Sequence, residues 1–144
     1  MQEKKLIWID FEALGLDVIK SPLIAVGAVI TDMQLNVEEK ACFSIKLDRN
    51  VVLDHSPEMG IDNVAIEMHK INGLLEKSLN SDNSVEYVES ELINMLNKYQ
   101  KQSLILTNFS VFFDRDIVGC RRNLRFQHVR HDVFVVDLVM DIQF

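Results

Sequence analysis

Cysteine, proline and glycine are scarce in this chain, with 2, 2 and 5 copies among 144 residues. Two cysteines, Cys42 and Cys120, cannot make a disulfide framework or a multi-cysteine zinc site. Neither has a partner motif, so both read as buried small residues in a reduced, cytoplasmic setting. There is no proline- or glycine-rich linker and no internal repeat, so a single domain over residues 1–144 is expected. No window holds the ~18 consecutive apolar residues that span a bilayer, and no membrane partner is expected. The start, Met1 to Lys5, runs into an apolar stretch that meets Asp10 too soon for a signal peptide. An apolar share of 48% beside 26% charged residues leaves disorder and fibrous architectures out as well.

A net charge of −7 argues against a surface that coats nucleic acid broadly. The charge is uneven: residues 115–131 carry Arg115, Arg121, Arg122, Arg125 and Arg130 against Asp116, a net of +4. Such a segment suits a partner gripped at one place, and equally a solvated helix face.

Leu6 to Phe11 reads as a buried strand ending in acid, and Leu23 to Thr31 as a second, with Gly27 marking a close backbone approach. Polar turn residues follow, and Ala41 to Leu47 alternates as a half-buried antiparallel strand should. Val64, Met68 and Ile71 predict a short helix with an apolar stripe, stopped at Gly73. Ser84 is a good N-cap for a helix whose stripe is Val85, Val88, Leu92, Met95, Leu96 and Tyr99. Ser103 to Thr107 predicts a fourth strand, Asp114 to Leu124 a helix, and Val133 to Val136 a fifth strand. The order predicts an α/β fold: a five-stranded mixed sheet, three antiparallel strands and then two parallel ones, flanked by helices.

The chemistry-bearing feature is Asp10-Phe11-Glu12. Side chains alternate along a strand, so Asp10 and Glu12 share a face. Two adjacent carboxylates repel unless a cation neutralises them, and oxygen-only ligands suit Mg²⁺ or Mn²⁺. Taken alone, the tripeptide also fits an acidic strand end in solvent. Asp114 sits past the fourth strand at a helix start, where either it or Asp116 complements the helix dipole. Among the aromatics, Trp8 reads as core, Tyr87 as a helix edge, and Phe126 as a residue that packs or stacks on a base.

The stretch from Leu6 to Asp17, LIWIDFEALGLD, resembles the first motif of the DEDD (DnaQ-like) 3′–5′ exonucleases, and in particular their oligoribonuclease branch. His69 to Glu76 is similar to that branch's His-x-x-x-Gly-Leu-x-Glu stretch. Asn108 through Phe113-Asp114-Arg115 resembles the second motif, and Val135-Val136-Asp137 the ending of the fifth strand. The match covers essentially the whole chain. It implies an RNase H-like fold and hydrolysis of short single-stranded RNA or DNA from its 3′ end by a two-metal mechanism. Asp10, Glu12 and Asp114 would be the catalytic residues and the ligands of two Mg²⁺ or Mn²⁺ ions. Substrate contacts are implied for Leu14, Gly15, Leu16, His69, Asn108 and Phe113, with Leu16 as an apolar wedge against the terminal bases. The residues alone leave core packing open for Leu16 and helix-face exposure open for His69.

The family's third motif, His-x-x-x-x-Asp or Tyr-x-x-x-Asp, is missing. His128 meets Val133 at the fifth place, and His131 reaches Asp137 one residue too late. In the family this motif lies in a helix after the fifth strand, so the chain reads as lacking that C-terminal helix. The expected consequences are a weakened second metal site and the loss of a base that typically contributes 10²–10⁴-fold. An uncovered apolar face, and with it a homodimer, is a further expectation. The alternative reading is an inactive or truncated RNase H-like module that binds nucleic acid or a protein partner.

Overall fold

The computed structural model describes residues 3–54, 57–108 and 134–137. The strands are β1 (Lys4–Ala13), β2 (Leu23–Thr31), β3 (Val37–Ser44), β4 (Ser103–Asn108) and β5 (Phe134–Asp137). The helices are α1 (Arg49–Asp54), α2 (Asn63–Ile71), α3 (Leu74–Leu79) and α4 (Val85–Asn97), with a 3₁₀ turn at Pro57–Met59. The five strands form one sheet in the order β3-β2-β1-β4-β5. β1–β2 and β2–β3 are antiparallel, whereas β1–β4 and β4–β5 are parallel. This is the expected mixed sheet. The predicted helix over Asp114 to Leu124 lies outside the described residues.

β1 and β2 are central strands covered on both faces, which is why each is nearly continuous in apolar residues instead of alternating. Ile7, Ile9, Phe11 and Ala13 turn one way and meet Val26, Ala28 and Ile30 beneath α4. Leu6 and Trp8 turn the other way with Ile105. Trp8 is core, as expected, and its indole N–H donates to Thr31 Oγ1 at 3.3 Å. Beyond Glu12 a second core gathers Leu14, Ile24, Leu47, Ile66, Leu74 and Leu75 under α2 and α3.

β3 departs from expectation at both ends. It begins at Val37, because Glu38, Glu39 and Lys40 lie on a sheet edge where charge is tolerated and discourages further pairing. It stops at Ser44. The Ile45 N–H still donates to Ile24 O of β2 at 2.8 Å, and the donors beyond it turn elsewhere: Lys46 N–H to Asn83 O at 2.7 Å and Leu47 N–H to Ser78 O at 3.2 Å. Cys42, expected to be buried, is exposed on this edge strand.

α4 forms as its pattern predicts. Val88, Leu92, Met95 and Leu96 are buried, with Val85 and Tyr99 partly so, and Tyr87 is half exposed at the edge. Each fully buried side chain of this size contributes about 1.5–3 kcal/mol. Ser84 caps the helix, its Oγ accepting the Tyr87 N–H at 3.2 Å. Ser84→Ala should therefore lower stability by about 1 kcal/mol; an unchanged urea midpoint would contradict the cap's contribution.

α2 is present as expected. The residues that carry its spacing are exposed, Val64 at 74%, Met68 at 50% and Ile71 at 88%, while Ile66 and His69 are buried. The helix entry sets this orientation: Asp62 N–H donates to Leu14 O at 2.7 Å, and the Asp62 carboxylate caps Val64 N–H at 2.8 Å. Gly73, at φ 77°, ends α2 as expected and also opens α3.

Candidate active site

The carboxyl ends of the parallel strands β1, β4 and β5 lie at the same edge of the sheet. In α/β sheets this is where ligands are usually received. Register places Thr107 beside Trp8 and Asn108 beside Asp137 at that edge. Asp10 and Glu12 leave β1 on one face, paired across the ladder with Gly27 and Ala25. Across the β1–β2 ladder the two acids thus stand opposite a glycine and an alanine. Gly27, expected to mark a close approach, sits in β2 directly across from Asp10. The register slips between Glu12 and Ala13, a bulge of the kind that re-aims side chains at strand ends.

Both carboxylates are half-buried. Burial raises the Asp10 carboxyl above its ordinary value, and burial followed by the neighbouring Asp10 charge pushes Glu12 from 4.5 up to about 6. Each group is thus disfavoured as a bare anion and gains from a nearby cation. Hard carboxylate oxygens fit Mg²⁺ or Mn²⁺. Among the described residues no group of three or more His, Cys, Asp or Glu side chains gathers to hold an ion. Asp10 and Glu12 are two members of the expected set; the third, Asp114, lies outside the described residues, as does Phe113.

A raised carboxylate pKa lowers the stability of the metal-free protein as pH increases. The contribution of a protonated Glu12 is present in full below pH 4.5, where folded and unfolded chains both carry the proton. It is lost as the pH rises through about 6, where the folded protein must also ionise. The interval corresponds to roughly 2 kcal/mol, and the Glu12 side chain is only 26% exposed. Without metal, Glu12→Gln should match the parent at pH 4 and exceed it by about 2 kcal/mol at pH 7.5. Saturating Mn²⁺ should remove that advantage. Equal urea midpoints at pH 7.5 would show that Glu12 is not strained.

His69 is fully buried instead of exposed on the helix. Its Nε2 lies 3.1 Å from Ala13 O, and its Nδ1 lies 3.4 Å from Asn72 Nδ2. A carbonyl can only accept and an amide nitrogen can only donate, so Nε2 carries the proton and Nδ1 is the acceptor. Asn72 is oriented by the Leu74 N–H, which donates to its Oδ1 at 3.0 Å. Burial lowers the His69 pKa, so its 3.6 Å approach to Glu12 Oε2 joins a neutral ring to a carboxyl group. The ring clasps the end of β1 beside Glu12.

Beside Glu12 opens a cleft of about 290 Å³ whose lining includes Leu16, Val64, Met68 and His69. Leu16 is 83% exposed, so it is not a core residue. Leu14, expected to touch substrate, has a fully buried side chain in the second core and is not available to a ligand. Gly15 is buried too, and close packing on Gly60 accounts for its lack of a side chain. Asn108 ends β4 at the same sheet edge. The sequence reading missed Val64 and Met68 as cleft walls; the signal was Ile66 and His69, which occupy the other face of the helix.

The mixed sheet carries an acid pair on its central strand, and the cleft adjoins that pair at Glu12. The family profile described as Exonuclease matches residues 7–133, and the chain belongs to that family. Its relatives narrow the class. It is 30% identical to a probable oligoribonuclease of Schizosaccharomyces pombe over 143 residues, covering 97% of this chain and 54% of that protein. It is 28% identical to the mitochondrial oligoribonuclease of Saccharomyces cerevisiae, covering 96% of this chain and 53% of that protein. The chain thus falls in the oligoribonuclease-like branch of the DEDD exonucleases and spans about half the length of these relatives. Among solved structures, apo exonuclease I superposes with a TM-score of 0.60 at 18% identity, covering 94% of this chain and 29% of that one. A metal-free complex of E. coli exonuclease I with single-stranded DNA gives 0.60 at 17% identity, covering 94% and 28%. These likenesses show the fold, which is RNase H-like.

Proposed function

We propose that this chain is a metal-dependent 3′–5′ exonuclease acting on short single strands, oligoribonucleotides above all. The observation that carries the reading is the Asp10–Glu12 pair, half-buried on the central strand, with Glu12 lining an apolar-walled cleft. Asp10 and Glu12, joined by Asp114, would hold Mg²⁺ or Mn²⁺. Such ions, when bound, supply an activated water and neutralise charge on the scissile phosphate. The chain itself contributes position. β1, paired with β2 at both positions, fixes the two carboxylates, and His69 fixes the end of that strand through Ala13 O. Leu16, Val64 and Met68 offer apolar area to the terminal nucleoside, which places its phosphodiester at the acids.

The test is hydrolysis of a 5′-labelled RNA dinucleotide and of a longer single strand, with and without Mn²⁺. Mononucleotide release from the 3′ end, dependent on Mn²⁺ and fastest on the dinucleotide, is the expected result. No product at stoichiometric protein, together with retained dinucleotide binding, would instead assign the chain as a binding module.

A further inference from the structure

Building on the reading of Leu16 as a substrate contact, we infer that Ser21 is a positioning residue: its hydroxyl latches the loop that carries Leu16 to the segment leading into α2. The loop between β1 and β2 holds an apolar side chain that is 83% exposed at Leu16, so core packing does not set its place. The backbone must do so.

Ser21 is fully buried, and its Oγ donates to Gly60 O at 2.6 Å while accepting the Asp17 N–H at 3.1 Å. One hydroxyl thereby spends its single proton on one segment and a lone pair on the other. Asp17, the residue after Leu16, is tied further. Its Oδ1 accepts the Ile19 and Lys20 N–H groups at 3.0 and 2.9 Å, and its carbonyl accepts the Ser21 N–H at 2.9 Å.

The other end of the latch is equally fixed. Gly60 leads into Asp62, whose N–H holds Leu14 O and whose carboxylate caps α2. Val64 and Met68 of that helix form the cleft wall shared with Leu16. Ser21 therefore sets the separation of the two walls without lining the cleft. A displacement of about 1 Å in a positioning group is enough to cost up to 10²-fold in function.

A double-mutant cycle tests this. Affinity for a 2-aminopurine dinucleotide is measured with Ca²⁺, so that binding is read without turnover, on the parent, Leu16→Ala, Ser21→Ala and the double variant. Leu16→Ala is expected to bind about 10-fold more weakly and Ser21→Ala about 5-fold more weakly. The double variant should be no weaker than Leu16→Ala alone, because Ser21 acts through Leu16. If Ser21→Ala fails to fold, Ser21→Cys, which keeps a side chain of similar shape and weakens both hydrogen bonds, replaces it in the cycle.

Additive losses, or a Ser21→Ala protein with the parent's affinity beside a weakened Leu16→Ala, would overturn the latch alone. An unchanged Leu16→Ala would overturn the reading of Leu16, and the latch with it. A parent that binds no dinucleotide would overturn the proposed function itself.

Discussion

Asp10→Asn should lose Mn²⁺-dependent hydrolysis by roughly 10³-fold or more and should bind Mn²⁺ far more weakly. The change is nearly isosteric, and position 10 lies opposite Gly27, so nothing must move to admit the amide. What changes is charge. A neutral amide oxygen is a poor ligand for a hard cation, and one of the anions that a phosphoryl-transfer ion needs is gone. The substitution also acts on its neighbour. The Asp10 charge is the second cause of the raised Glu12 pKa, so removing it should bring Glu12 down toward its ordinary value without reaching it. Burial, the larger cause, stays. Mn²⁺ titration by electron paramagnetic resonance, together with the dinucleotide assay, checks both halves. Cleavage at the parent's rate would remove Asp10 from the site.

Gly15→Ala should destabilise the chain by about 3 kcal/mol or more. A Cβ at this position would stand 2.1 Å from Gly60 O and 2.9 Å from Ser21 Oγ. The first of these is backbone and cannot rotate away. Gly60 is itself constrained, with φ at 64° and its own space closed by Asp17 Cβ and Lys20 Cβ at 3.0 and 3.1 Å. The two segments would have to separate, which breaks the Ser21–Gly60 hydrogen bond and pulls on the Leu14–Asp62 bond at the head of α2. A urea unfolding curve measures the loss. A midpoint equal to the parent's would show that the close approach relaxes freely.

Where the sequence was legible, one local rule governed the outcome. β2 runs from Leu23 to Thr31 as read, because a β-branched run between turn residues has few alternatives. The Ser84 cap and the α4 stripe follow from the helical period alone. Tertiary structure overrode the pattern in three places. Cys42 and the start of β3 depend on that strand lying at the edge of the sheet, which no local pattern encodes. α1 and α3, six residues each, are too short to display a helical period. α2 was legible as a helix but not in its orientation, because its more apolar face is the exposed one. A cleft wall needs apolar side chains left open, and the same spacing that marks a core stripe marks a ligand-facing one. The acid pair was legible as a pair; the His69 clasp was not, since it joins residues more than fifty positions apart.

The parallel pairing of β1 with β4 has a consequence for synthesis. β1 is central, yet its two neighbours come from opposite parts of the chain: β2 follows at once, whereas β4 begins at Ser103. A ribosome adding roughly 5–20 residues per second completes the β1-β2-β3 meander seconds before the strand that closes its open side. During that interval the backbone of Lys4 to Trp8 offers unpaired donors and acceptors on an apolar ribbon, the usual template for adventitious strand addition. Maturation of the nascent chain is therefore a race between the arrival of Ser103–Asn108 and capture of that edge by another molecule. Slow translation through residues 50–100 should lower the soluble yield more than the same delay after residue 108.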